Sequence, residues 1–179
     1  MEKALRIVIS GEISQRHLDV LTKESQNLPL DVNVIKIVIK SRGGNANVAA
    51  KIVNLIEKLK SNGMEVHTIG SMFVCSAAFI VFIHGSKRTH ITGTIFKIDL
   101  PHKVENIELL LGYSETRDKL IELLKQNERI INARQEWISR IVQNTNFSAE
   151  DVVKFDAEGF EISKDEIFRL GICTKEPAV

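Results

Sequence analysis

A chain of 179 residues, 44% hydrophobic and 26% charged, is long enough for one domain with a real core and ordinary in composition for a globular protein. Its formal net charge of +1 gives no electrostatic reason to expect nucleic acid or an anionic membrane as partner. Its apolar runs fall short of the roughly 20 residues a membrane span needs, and Met1-Glu2-Lys3-Ala4 does not open a signal peptide. Two cysteines in dissimilar contexts, Cys75 and Cys173, point to free thiols in a reducing cytoplasm. No Cys/His cluster has metal-ligand spacing, so neither metal nor cofactor is expected.

Leu5 to Ile9 reads as a short apolar strand ended by Ser10-Gly11. His17 to Asn27 reads as an amphipathic helix with Leu18, Val20 and Leu21 inward. Val34 to Lys40 is nearly continuous in β-branched residues, which suits a buried parallel strand, and it runs into Ser41-Arg42-Gly43-Gly44. A helix from about Asn47 to Ser61 follows, with Val48, Ile52, Leu55, Ile56 and Leu59 on one stripe. Glu65 to Ile69 is a third strand. The alternation argues for α/β architecture with right-handed parallel crossovers.

From Thr68 the chain passes through small residues to Ser76-Ala77-Ala78 and then a bulky apolar helix, Phe79 to Ile83. A serine where a strand turns into a buried helix is a way to present a nucleophile, because free N–H groups there favour developing negative charge. It is also the commonest kind of N-cap. Two short strand candidates follow, Lys87–Ile91 and Thr94–Asp99, before Pro101. Ser114 to about Asn144 reads as one helix of roughly 45 Å. Its apolar stripe takes in Leu120, Leu123, Leu124, Ile130, Ile131, Trp137, Ile138 and Ile141. That is more than one core of this size can cover, so part of it is expected to meet another subunit. Capping serines start two short helices, from Ser148 to Lys154 and from Ser163 to Leu170.

Together, Ser41-Arg42-Gly43-Gly44 ending one strand and Thr68-Ile69 preceding Ser76 resemble the proteolytic subunit of the Clp protease (ClpP), within the broader crotonase-like fold. Ser76 to Gly85 with Lys87-Arg88, Ile98-Asp99-Leu100-Pro101, and Ile162-Ser163 with Leu170-Gly171-Ile172 follow the family's order. The resemblance covers Leu5 to Ile172. It implies repeated β-α-β units with a long protruding handle helix. The expected organisation is a single domain, with a head of about 1–101 and 146–179 and a handle of about 102–145. It further implies a serine peptidase subunit working through Ser76 in an oligomeric chamber, with an oxyanion hole from the N–H groups of Gly43 and Ala77. Self-association into rings is the implied partnership. A ClpP-type paralogue or an ATPase chaperone is a further partner class, and the lack of the family's longer N-terminal segment argues against the ATPase.

The sequence departs from the family at the base. The family's histidine falls on Asp99, and its aspartate falls on Gly159, beside Glu158. An ordinary aspartate is a poor base for a hydroxyl near neutral pH. His102 and Lys97 are the alternative bases, Lys97 lying two residues before Asp99 on the same strand face. Cys75 as nucleophile would point differently from Ser76, and a buried cysteine serves more often as a small hydrophobe. The alternative function is a catalytically silent structural or regulatory subunit. A more distant one is a crotonase-type acyl-thioester enzyme, for which no adenine-pocket signature is present.

Overall fold

A strand as rich in Val and Ile as the one from Val34 to Lys40 suits a buried place in a parallel sheet packed against helices. The computed structural model of the chain describes residues 3–101, 116–159 and 161–174. Strands β1 (Ala4–Ser10), β2 (Val34–Ser41), β3 (Glu65–Cys75) and β4 (Lys87–His90) lie side by side in that order, all parallel. A short fifth strand, β5 (Ile95–Lys97), is also parallel to β3. Helices α1 (Gln15–Gln26) and α2 (Ala46–Ser61) make the crossovers. This is the α/β architecture that the alternation predicts.

The α2 stripe is as expected: Val48, Ile52, Ile56 and Leu59 are buried, and Asn45 caps the helix by accepting from the Val48 N–H at 3.0 Å. In α1, Leu21 is buried and Leu18 packs partly against the core, but Val20 is exposed, contrary to expectation. Consecutive residues on a helix point some 100° apart, and α1, which packs against α2, buries one narrow stripe of Leu18 and Leu21.

The main departure is β3, which runs on to Cys75 instead of stopping near Ile69. The small residues that read as a strand end are a bulge. While β2 advances from Ile39 to Ser41, β3 advances from Gly70 to Val74, and within the excess Met72 adopts φ 57. The first half of β3 pairs with β4 and the second half with β5, so two short strands serve one edge in succession. Both are shorter than the sequence suggests for that reason.

Helix α3 (Ala77–Ile83) leaves the end of β3 and is buried on all sides, which explains its unbroken apolar sequence. Phe79 and Phe82 pack on Phe96 of β5 with ring centroids 6.5 and 5.0 Å away. The buried Thr68 hydroxyl donates to the Phe82 carbonyl at 2.7 Å and ties this helix back to β3.

Helix α4 (Thr116–Asn144) has 29 residues, followed by α5 (Ala149–Glu158) and α6 (Lys164–Arg169). Helix α5 runs past the expected Lys154 to a left-handed Gly159. Trp137 and Ile141 of α4 are buried and Ile138 packs partly on the core, whereas Leu124 and Ile131 of the same stripe are 59% and 54% exposed, as fits a stripe longer than one core can cover. Among the described residues, the buried apolar positions of α4 lie only in its last turns. Asp156 of α5, almost wholly buried, accepts from the Leu100 N–H at 2.7 Å and pairs with Arg134 of α4 at 2.7 Å. That carboxylate fixes the exit of β5 against two helices.

A methionine in the left-handed region costs about 1 kcal/mol that glycine avoids. Met72→Gly is expected to raise the urea midpoint by the equivalent of about 1 kcal/mol without changing the slope.

Candidate active site

The C-terminal ends of parallel strands are where an open α/β sheet exposes backbone groups and admits ligands. Here the ends of β2 and β3 converge. Ser76 lies between β3 and α3, with φ 51 and ψ −127, and its own N–H donates to the Lys97 carbonyl at 3.2 Å. These angles belong to the first central position of a type II′ turn, where glycine is the usual residue. Ser76 is the residue before α3, yet its side chain makes no capping bond. The ordinary reason for a serine at this point of a chain is therefore absent, and its half-buried hydroxyl has no hydrogen-bond partner among the described residues.

Gly43 lies directly against this serine. It has φ 121, and a β-carbon placed on it would stand 2.8 Å from Ser76 Cβ and 3.1 Å from Ser76 Oγ. Gly44, at φ 141, is pressed as closely on the backbone of Ile13, where a β-carbon would lie 2.4 Å from the amide nitrogen. The double glycine is thus what lets the end of β2 pass between the β1–α1 loop and the serine.

The backbone donors near Ser76 differ from the expected pair in one respect. The Ala77 N–H, first of α3, has no partner among the described residues. The Gly43 N–H is engaged by Ser41 Oγ at 3.1 Å, and that hydroxyl in turn donates to the Gly43 carbonyl at 3.0 Å. The next N–H along, that of Gly44, has no partner among the described residues. The sequence marks the glycine pair but not which of its two amides is open, because that depends on a short-range bond from Ser41.

The candidate bases separate. Lys97 pairs with Cys75 across β3 and β5, so its backbone lies against the serine. Its ammonium lies over Gly159 instead, with Nζ 3.7 Å from where a β-carbon on that glycine would stand. Asp99 is exposed and does not hydrogen-bond Ser76. Glu158 is exposed as well, at the end of α5. His102 lies outside the described residues. Burial pushes the Cys75 thiol up from its ordinary value, with Arg42 and Lys97 pulling the other way, so Cys75 has the character of a core side chain.

No family sequence model and no curated protein sequence matches the chain. Solved structures do match. A point mutant of ClpP1 from Listeria monocytogenes aligns with a TM-score of 0.79 at 22% identity, covering 97% of this chain and 91% of that one. ClpP1 from Listeria monocytogenes itself gives 0.75 at 23% over the same shares. The ClpP protease catalytic domain from Plasmodium falciparum gives 0.74 at 19%, covering 97% of this chain and 85% of that one. The chain has the ClpP fold. At such identities the likeness is one of backbone architecture. Among the described residues no helix is long and apolar enough to cross a membrane.

Gly43→Ala places a methyl group inside the van der Waals radius of Ser76 at a φ that L-residues rarely adopt. It is expected to cost roughly 2–4 kcal/mol of stability, read as a lowered urea midpoint, where Gly11→Ala, with open space around it, costs about 1 kcal/mol from φ alone.

Proposed function

We propose that the chain is a ClpP-like serine hydrolase subunit that acts through Ser76, within a chamber built by self-association. The observation that carries this reading is the backbone of Ser76. A non-glycine residue held at φ 51, ψ −127 stores about 1–3 kcal/mol of strain, and no capping bond offsets it. Such strain persists where a side chain must be presented at a sharp turn between a strand and a helix.

The mechanism follows from the groups around it. Ser76 Oγ attacks the carbonyl carbon of an extended substrate and passes its proton to a base. The oxyanion that forms is held by the Ala77 N–H and by the glycine turn, where the Gly44 N–H is the open donor and the Gly43 N–H is tied to Ser41. Collapse expels the leaving amine or alcohol, which takes up the proton. Water then cleaves the acyl-enzyme and restores the serine. Lys97 is the base favoured among the described residues, since β5 already holds its backbone on Ser76. Asp99, two residues on, and His102 are the other candidates.

A second reading is the silent structural or regulatory subunit. It is favoured by one observation: no described side chain hydrogen-bonds Ser76 Oγ. Under both readings α4 is a handle that pairs with other copies. Its exposed Ile121, Leu124, Ile131 and Val142 support this, since a monomer leaves that seam in water. The head and handle then form one ClpP-like domain in a reducing compartment, with a paralogous subunit or an ATPase as further partner classes.

Fluorophosphonate labelling followed by intact mass tests the chemistry. One adduct is expected, absent from Ser76→Ala, with the labelling rate of Lys97→Met lower by a factor on the order of 10²–10⁴. No adduct on folded, assembled protein moves the conclusion to the silent subunit. The doubly substituted Leu124→Glu, Ile131→Glu protein is expected to sediment as a smaller species than wild type with an unchanged far-ultraviolet spectrum.

A further inference from the structure

The glycine turn opens on one side towards Ser76 and on the other into a cleft of about 530 Å³. Glu12, Lys40, Arg42, Gly43, Gly44 and Phe73 are among the residues that line it. Its walls are largely apolar, made of the Phe73 ring, glycine backbone and aliphatic stems. Two cations and one carboxylate stand on its rim, so the cleft carries a net positive charge.

Arg42 is the informative residue. It immediately precedes Gly43 and is exposed, and its guanidinium carbon lies 3.8 Å from the centroid of the Phe73 ring. Stacking on an aromatic face holds the planar group in place and leaves its edge donors available. Among the described residues no carboxylate forms an ion pair with it. Burial holds the thiol of Cys75, the neighbour of Ser76, above its ordinary value, and Arg42 is close enough to oppose that. Lys40, two residues back near the end of β2, lines the cleft as well and is exposed too. A cation that is positioned but unpaired, beside a glycine that touches the candidate nucleophile, is complementary to an anion carried on an apolar body.

We propose that Arg42 is a specificity-determining residue that binds an acidic side chain of an extended peptide seated in this cleft, with Lys40 adding charge and Phe73 packing against the neighbouring apolar residue. That the peptide is a substrate rests on the hydrolase reading of Ser76. That it binds does not, so the two are separable by experiment.

The probe is a fluorescein-labelled decapeptide of alternating Leu and Glu, compared with its Leu and Gln twin. Binding is followed by fluorescence anisotropy on the full-length Ser76→Ala protein, in which no acyl transfer through Ser76 can occur. The Glu peptide is expected to bind about 5–10-fold more tightly than its twin at low salt, with the preference shrinking as salt rises. In Ser76→Ala, Arg42→Gln the preference is expected to fall to about twofold or less. Ser76→Ala, Arg42→Lys restores charge without the planar fork and is expected to be intermediate. Circular dichroism checks that each variant is folded. Equal binding of the two peptides, no binding of either, or a preference that survives Arg42→Gln would overturn the proposal. Fluorophosphonate labelling of the Ser76 protein reports on the hydrolase reading alone, so peptide selectivity without labelling would leave Arg42 as the anchor of a non-catalytic peptide site.

Discussion

Close contact between Gly43 and Ser76 is the constraint on which the rest of the site depends. The end of β2 must pass within van der Waals contact of the turn that follows β3, and only a residue without a side chain leaves room. Several other features follow from that approach. β3 must bulge by the residues around Met72 to bring its end over the glycine. β5 must accept the Ser76 N–H with the Lys97 carbonyl, which holds the turn from its other side. α3 must be buried throughout, with Thr68 tying its end to β3, so that the strained serine cannot relax by letting the helix swing away.

The polar groups around the turn divide between structure and chemistry. Ser41 spends its hydroxyl on the turn itself, bonding both the N–H and the carbonyl of Gly43. Asp156 spends its carboxylate on the Leu100 N–H and on Arg134, fixing the chain just after the segment that carries Lys97 and Asp99. Among the described residues, what remains open near Ser76 is backbone: the N–H groups of Ala77 and Gly44, which favour negative charge beside them. A hydrolase with an unusual base and a silent subunit both share that feature, and they differ in whether Lys97 or a residue beyond Pro101 reaches the serine.

Charge is distributed in the same economical way. The chain is nearly neutral overall, yet the C-terminal end of β2 and the turn after it place Lys40 and Arg42 together on a mostly apolar cleft. Phe73 is one of the excess residues of β3 between Gly70 and Val74, so the irregularity that precedes Ser76 also carries the ring on which Arg42 rests. A sheet with regular register would present neither.

By itself the sequence determined the α/β alternation, the identity of the α2 stripe, the glycine pair and the position of Ser76 at the head of a buried helix. These are legible because strand and helix periods, β-branched runs and glycine turns are local properties of a chain. Tertiary structure alone decided the rest. Gly70-Ser71 reads as a strand end, because a bulge differs from a break only in what the neighbouring strand does. Leu124 and Ile131 continue the apolar stripe that Trp137 and Ile141 bury, and only the fold shows where along α4 the core ends, because periodicity gives the direction of a face and not its cover. Gly43 and Gly44 look equivalent, and only the bond from Ser41 separates their amides. Lys97 and Asp99 read as sharing a strand face, but β5 ends at Lys97, and the direction of its ammonium towards Gly159 depends on where α5 ends. Side-chain direction and hydrogen-bond choice are set by contacts between residues far apart in the chain, which local pattern does not encode.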